Sequence, residues 1–302
     1  MDGIFFLVLA FLVAFSSIKL SYYGDALSKS TKLGTAFIGG LLIASITSLP
    51  ELVTSVSAVL VNNPYLSFGD ILGSNMFNIF VLAIYNIWFF KQDIFSNIDK
   101  KYIIECSILI IEYIFIIIFN SNFLTVLLLI MYVIYTINLF KREDDFTSNN
   151  NNEKHVLIKF IISSIVLIGL SILLTLEVDN ITHIYPKISS STIGAILLGI
   201  TTSLPEVVST YTLIKLKNYN MAISNMLGSN IFNFLILSLS DFFVKNRHIY
   251  DYSDHYSNMY LYGGLTITIM LLISIFNKKR NNIILSIVIS LIYLIIWYFQ
   301  FK

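Results

Sequence analysis

The chain has 302 residues, of which 56% are hydrophobic and only 12% are charged. A soluble domain of this length would carry about twice that charged fraction, and many apolar runs reach the roughly 20 residues that span a bilayer as a helix. The net charge of +1 gives no electrostatic support for a nucleic-acid partner, and the single cysteine excludes an internal disulfide and a thiolate metal cluster. The composition predicts an integral membrane protein.

Apolar runs separated by polar residues predict ten membrane-spanning helices. In chain order the spans cover residues 3–22, 34–60, 66–90, 102–119, 122–140, 156–176, 189–214, 220–244, 257–276 and 281–300. The first run is preceded by Asp2 rather than by a basic region, so we read it as a retained helix and not as a cleaved signal peptide. The predicted fold class is an all-α polytopic membrane protein.

A long polar stretch from Lys141 to His155 divides the ten spans into two sets of five. Its run of asparagines and charged residues is typical of a solvated linker. The predicted organisation is a first five-span repeat over residues 1–140, a linker over 141–155 and a second five-span repeat over 156–302.

The two halves repeat each other at a constant offset of 155 residues. The segment "ITSLPELVTS" begins at Ile46 and "TTSLPEVVST" at Thr201, while "GDILGSNMFN" begins at Gly69 and "SNMLGSNIFN" at Ser224. Because five is an odd number of spans, the second half must enter the membrane upside down relative to the first. Inverted repeats are typical of transporters whose binding site lies near the bilayer midplane.

The basic residues predict the orientation of the chain. With ten spans and the N-terminus outside, 13 of the 19 lysines and arginines fall in inside loops, four fall outside, and Lys19 and Lys159 lie near span ends. Inside loops carry such an excess of positive charge. We therefore expect a multi-pass protein of the plasma membrane with its N-terminus outside and a cytoplasmic linker.

The first motif places oxygen atoms and a negative charge at membrane depth. In a helix, Ala44, Thr47, Ser48 and Glu51 share one face. Pro50 has no N–H, so the carbonyl four residues earlier loses its helical partner. Free backbone oxygens at this depth are tolerated only where another group satisfies them, and a bound cation is such a group.

The second motif adds a polar stripe in each half. The stripes have a spacing of four residues and consist of Asp70, Ser74 and Asn78 in the first half and Asn225, Ser229 and Asn233 in the second. Oxygen-only ligands suit Na⁺ or Ca²⁺ rather than a soft transition metal. A kinked helix alone would explain either proline, but each acidic residue at the centre of a span costs roughly 2.5–3.5 kcal/mol. Repetition of the whole set favours a cation site.

These paired motifs resemble the two α-repeats of the sodium/calcium exchangers, within the cation/calcium exchanger superfamily. The resemblance covers the whole predicted layout and implies that the first and sixth spans slide across a fixed core to alternate access. It implies that Glu51 and Glu206 are central cation ligands and that Asn78 and Asn233 occupy the middle of the site. The remaining implied ligands are backbone carbonyls and serine hydroxyls: Thr47, Thr202, Ala44, Gly199, Ser48, Ser203, Ser74 and Ser229.

The function expected from the sequence is secondary antiport of Ca²⁺ against Na⁺ at a two-glutamate midplane site. The chain is not expected to be an enzyme or to need a cofactor; Ca²⁺ and Na⁺ are substrates, the bilayer is the partner, and no protein partner is implied. One alternative is Ca²⁺/H⁺ exchange, in which the two glutamates carry protons on the return step. A passive cation channel is less consistent with two proline-kinked helices meeting at one depth. Glu105 and Glu112, which share a helix face, are candidates for a structural role or an accessory proton path.

Overall fold

The computed structural model describes residues 2–89, 91–92, 94–119, 122–142, 153–184, 199–245, 247–277 and 282–299. These ranges are predominantly helical and contain no β-strand. The helices are α1 (Asp2–Ser30), α2 (Thr35–Phe37), α3 (Ala44–Thr47), α4 (Leu49–Leu60), α5 (Pro64–Trp88), α6 (Ile103–Ile118), α7 (Asn122–Phe140), α8 (Glu153–Ile184), α9 (Leu204–Lys215), α10 (Tyr219–Asp241), α11 (His255–Asn277) and α12 (Asn282–Phe299). A π-helix (Ile38–Ile43) joins α2 to α3, and 3₁₀ turns cover Ile94–Asn97, Lys100–Tyr102 and Ile249–Tyr252.

The all-α membrane fold predicted from the sequence is confirmed. Seven of the described helices are long and apolar enough to cross a membrane, namely α1, α5, α7, α8, α10, α11 and α12, and the bent segment 35–60 would be an eighth. The predicted span 189–214 begins outside the described residues, and α6 has only 16 residues. The count of ten spans stays a prediction.

Two helices extend well beyond the spans predicted from hydropathy. Helix α1 continues to Ser30 although the apolar run ends at residue 22, and α8 covers Glu153–Ile184 where 156–176 was predicted. Hydropathy marks the apolar layer, whereas a helix continues for as long as its backbone hydrogen bonds are formed. The ends of the apolar runs therefore do not mark the ends of the helices.

The described chain packs as two compact units, each of which takes one segment from each predicted repeat. Unit one consists of Met1–Val53 and Leu139–Asn225, and unit two of Thr54–Asn138 and Met226–Lys302.

In unit one, α1 packs against α8 and α9. The hydroxyl of Ser21 on α1 donates to the carbonyl of Ser209 on α9 at 3.3 Å. The π-helix approaches the start of α10 so closely that a Cβ on Gly39 would lie 2.7 Å from the backbone oxygen of Met221. Only glycine permits this approach without a backbone shift, and Gly39 therefore fixes the course of the chain into the first motif.

In unit two, α5 packs against α11 and α12, and α6 packs against α11. Asn86 on α5 donates to the hydroxyl of Ser286 on α12 at 3.0 Å. The ring of Tyr113 on α6 meets the edge of Phe234 on α10, with ring centroids 4.9 Å apart. Polar side chains thus face the interior of this unit, as expected where lipid covers the outside.

Candidate functional site

Both S-L-P-E segments break their helix at the serine. Ser48 separates α3 from α4 and has φ −89° and ψ 7°, and Ser203 directly precedes α9 with φ −85° and ψ 1°. The two halves of the first broken helix meet at 43°. Proline favours the break because it lacks an N–H and its ring clashes with the carbonyl four residues earlier, whereas it is tolerated in the first turn of a new helix. The interruption predicted from Pro50 and Pro205 is therefore present in both repeats.

Each of these serines donates a hydrogen bond to the glutamate of the other repeat. The hydroxyl of Ser48 donates to Oε1 of Glu206 at 2.8 Å, and the hydroxyl of Ser203 donates to Oε1 of Glu51 at 3.2 Å. All four side chains are at most 1% exposed. The two reciprocal bonds bring both carboxylates and both helix breaks together within unit one.

The threonines before the serines are also related by the repeat. Thr47 donates its hydroxyl to the carbonyl of Ala44 at 3.1 Å, and Thr202 donates to the carbonyl of Gly199 at 3.2 Å. Each of these carbonyls also accepts the serine amide of the next turn, at 3.0 Å and 3.2 Å respectively. Because a carbonyl oxygen has two lone pairs, both would have to release or share a donor to bind a cation. Their role as ligands stays a prediction.

Among the described residues, no cationic side chain pairs with the carboxylate of Glu206. Its buried Oε2 accepts no hydrogen bond from those residues. Burial of a carboxylate is costly unless charges or hydrogen bonds replace its hydration. A cation bound beside Oε2 would supply that compensation, and binding of a cation there stays a prediction.

Unit two contains a second buried polar cluster, formed by four asparagines. Asn78 donates from Nδ2 to Oδ1 of Asn230 at 2.9 Å, and Asn233 donates from Nδ2 to Oδ1 of Asn75 at 3.0 Å. The predicted ligands Ser74 and Ser229 are also buried, as are Asn78 and Asn233. The hydroxyl of Ser229 has no hydrogen-bond partner among the described residues.

The predicted ligands thus fall into two sets. Unit one holds Glu51, Glu206, Thr47, Thr202, Ser48, Ser203, Ala44 and Gly199, and unit two holds Ser74, Asn78, Ser229 and Asn233. Direct hydrogen bonds join the glutamates to the serines in the first set and join Asn78 and Asn233 to other asparagines in the second. That the second set binds the same cation as the glutamates stays a prediction.

Asn75 and Asn230 have no role in the site predicted from the sequence, although both lie in the repeated G-S-N segments. They are fully buried and hold the amides of Asn78 and Asn233. The sequence does carry a signal for them, because the two asparagines repeat at the offset of 155 residues. An amide that is buried in both repeats needs hydrogen-bond partners in both.

The other acidic residues within the described ranges lie apart from one another in the sense that no three of them form a candidate metal site. Glu105 and Glu112 are fully buried on α6, and neither oxygen of Glu112 accepts a hydrogen bond within the described ranges. Asp70 lies half-buried on α5. No group of three or more histidine, cysteine, aspartate or glutamate side chains that could hold a metal ion occurs among the residues described. A cation site that uses a carboxylate in these ranges would therefore need hydroxyl, amide or carbonyl oxygens beside it.

The sequence matches the model of a family described as sodium/calcium exchanger protein over residues 3–141 and 155–302. It is 28% identical over 224 residues to an uncharacterised membrane protein of Methanocaldococcus jannaschii, which covers 70% of this chain and 74% of the relative. It is 23% identical over 243 residues to the inner membrane protein YrbG of Escherichia coli, which covers 75% of this chain and 74% of that protein.

The fold is similar to solved structures of the sodium-calcium exchanger NCX_Mj. One, soaked with 2.5 mM Na⁺ and 0.1 mM Sr²⁺, has a TM-score of 0.80 at 23% identity over 99% of both chains. Another, soaked with 10 mM Na⁺ and zero Ca²⁺, has a TM-score of 0.79 at 22% identity over 98% of both chains. At this identity the likeness shows a shared fold.

Proposed function

Because this chain belongs to the sodium/calcium exchanger protein family, we propose that it is a secondary-active antiporter that exchanges Ca²⁺ for Na⁺. The chain is a multi-pass membrane transporter and not an enzyme. We further propose that it lies in the plasma membrane with its N-terminus outside and its central linker in the cytoplasm, on the distribution of lysine and arginine.

The observation that carries this proposal is the reciprocal pairing of Ser48 with Glu206 and of Ser203 with Glu51. Each hydroxyl donates a hydrogen bond to Oε1 of a glutamate, so the lone pairs of the serine remain as candidate ligands, and so does Oε2 of Glu206, which accepts no hydrogen bond within the described ranges. Oxygen ligands of this kind bind hard cations such as Ca²⁺. The backbone breaks at both serines place these groups at helix ends rather than along a continuous helix.

The charges at the site account for exchange rather than simple binding. Two carboxylates neutralise one Ca²⁺ or two Na⁺, and either occupancy leaves no net buried charge. Binding of both kinds of cation at once would leave an excess of positive charge in a medium that solvates ions poorly. Ca²⁺ and Na⁺ therefore compete for the site, and each leaves when the other binds.

We propose that α1 and α8 form the moving element that alternates access. Both expose large apolar residues such as Phe11 and Ile165, which suits contact with lipid. The hydroxyl of Ser16 on α1 lies 3.5 Å from the carbonyl of Ser163 on α8 and links the two helices to each other. Movement of α1 past α9 would have to break or exchange the bond from Ser21 to Ser209 at 3.3 Å and the bond from Asn218 to the carboxylate of Asp25 at 2.8 Å.

Transport into proteoliposomes tests the proposal. Purified protein should take up ⁴⁵Ca²⁺ when an outward Na⁺ gradient is imposed, and uptake should stop when the gradient is removed. In parallel vesicles an outward proton gradient without Na⁺ should drive little uptake. Uptake driven by protons alone would replace Na⁺/Ca²⁺ antiport by Ca²⁺/H⁺ exchange, and gradient-independent flux would indicate a channel.

A further inference from the structure

We propose that Asn75 and Asn230 are positioning residues that fix the amide orientation of Asn233 and Asn78, so that the Oδ1 atoms of the latter pair bind the cation. The inference rests on the proposed function, because it assumes that a cation binds at Asn78 and Asn233. It assigns a role to two buried residues that do not themselves have to touch the ion.

The four asparagines form a closed, two-fold arrangement between α5 and α10. Asn75 donates from Nδ2 to the backbone oxygen of Asn230 at 3.2 Å, and Asn230 donates from Nδ2 to the backbone oxygen of Asn75 at 2.9 Å. The Oδ1 atom of Asn230 then accepts from Asn78, and the Oδ1 atom of Asn75 accepts from Asn233. We call Asn75 and Asn230 the inner asparagines and Asn78 and Asn233 the outer asparagines. The amide of each outer asparagine is therefore held by the inner asparagine of the other repeat.

The chemistry of these groups determines every amide orientation. A backbone carbonyl only accepts hydrogen bonds, so the atom of Asn230 that faces the carbonyl of Asn75 must be the NH₂ group. Its oxygen consequently faces Asn78, which must present NH₂ in turn. The same reasoning, started at the carbonyl of Asn230, orients Asn75 and then Asn233. No flipped alternative satisfies these contacts.

Each outer asparagine is left with a side-chain oxygen that accepts no hydrogen bond from the described residues. The Oδ1 atoms of Asn78 and Asn233 are buried and accept no hydrogen bond from the described part of the chain. Amide oxygens are ordinary ligands of hard cations, whereas a flipped amide would present NH₂ to the ion and repel it. The hydrogen bonds to Asn75 and Asn230 therefore exclude the flipped amide orientation, which would oppose cation binding.

The arrangement also explains the spacing of the motif. In G-S-N-x-x-N the two asparagines are three residues apart, at 75 and 78 and at 230 and 233, which places them on one face of the helix. One asparagine of each pair anchors to the opposite backbone, and the other is left to bind the ion.

A pair of double-mutant cycles on purified protein tests the assignment, with Ca²⁺ affinity measured by calorimetry. Asn230→Ala should weaken Ca²⁺ binding about 10- to 100-fold, the usual effect of removing a group that orients a ligand. In an Asn78→Ala background the same change should weaken binding by no more than about twofold, because Asn230 acts through Asn78. Asn75→Ala should keep its full effect in that background, because Asn75 acts through Asn233.

The mirror-image cycle of Asn75→Ala with Asn233→Ala repeats the test on separate residues and decides the matter where Asn230→Ala does not fold. Asn86→Ala is the matched control, since Asn86 is another buried asparagine of α5 with a side-chain partner. It should lower thermal stability and leave Ca²⁺ affinity within about twofold.

The outcomes separate the positioning role from the proposed function. Effects of Asn230→Ala that persist undiminished in the Asn78→Ala background, or a loss of folded protein with unchanged affinity, would overturn the positioning role alone. Absence of Ca²⁺ binding by the unsubstituted protein would overturn the proposed function, and the inference with it. We expect coupling in Ca²⁺ affinity between Asn230 and Asn78 and between Asn75 and Asn233, and not between the other pairs.

Discussion

Replacement of Glu206 by glutamine removes one charge from the proposed site while leaving its framework in place. In the Glu206→Gln variant, the side-chain carbonyl can still accept the hydrogen bond that Ser48 donates to Oε1 at 2.8 Å. The NH₂ group replaces Oε2, which accepts no hydrogen bond within the described ranges. We therefore expect the variant to insert and fold, and to be at least as stable as the parent protein without cation, because a buried charge has been removed.

The expected loss of Ca²⁺ binding is large. With one carboxylate left, bound Ca²⁺ carries an uncompensated positive charge, and breaking a buried charge pair costs about 3–5 kcal/mol. At 1.4 kcal/mol for each factor of ten, this corresponds to a roughly 100- to 4,000-fold weaker affinity. Parent protein in Ca²⁺ at about 100 times its Kd gains roughly 2.7 kcal/mol of stability, whereas the variant gains at most about 0.4 kcal/mol at the same concentration.

Thermal unfolding with and without Ca²⁺, together with ⁴⁵Ca²⁺ uptake, measures this effect. Glu112→Gln is the matched control, because Glu112 is an equally buried glutamate on α6 and lies in unit two. The control should keep Na⁺-driven uptake and the Ca²⁺-dependent shift in Tm. Near-normal uptake by Glu206→Gln would refute the two-carboxylate site, and loss of uptake in Glu112→Gln would instead assign that residue a part in transport.

Three further outcomes follow from the same structure. Val61 is an exposed position after α4, and in a cysteine-free background Val61→Cys should react with an impermeant thiol reagent outside intact cells. Asn149→Cys, which is outside the described residues, should not react. The reverse labelling would contradict the predicted orientation. Asp70→Asn should weaken Ca²⁺ affinity from the outer side at low salt only, because screening shortens the reach of a charge to roughly 10 Å at 0.1 M; a loss independent of salt would make it a direct ligand. Gly39→Ala should lower stability by about 1–3 kcal/mol because its Cβ would lie 2.7 Å from a backbone oxygen of α10, whereas Gly169→Ala, with open space around it, should not; equal Tm values for the two would contradict the packing of the π-helix.

The sequence by itself determined the membrane class and the position of the paired motifs. Apolar runs must be helical in lipid, since no other open structure satisfies the backbone there, so hydropathy was sufficient for helices such as α7 and α12. The constant offset of 155 residues located equivalent groups in both halves. Proline chemistry identified the breaks that the structure places at Ser48 and Ser203.

Only the tertiary structure decided which side chains meet. The bonds of Ser48 to Glu206 and of Asn78 to Asn230 join residues 158 and 152 positions apart. Helical periodicity gives the face on which a residue lies, but it does not give the rotation, depth or partner of that face, which depend on the packing of whole helices. The orientation of each buried amide depends further on a backbone carbonyl of the opposite repeat, and no local pattern in the sequence encodes that contact.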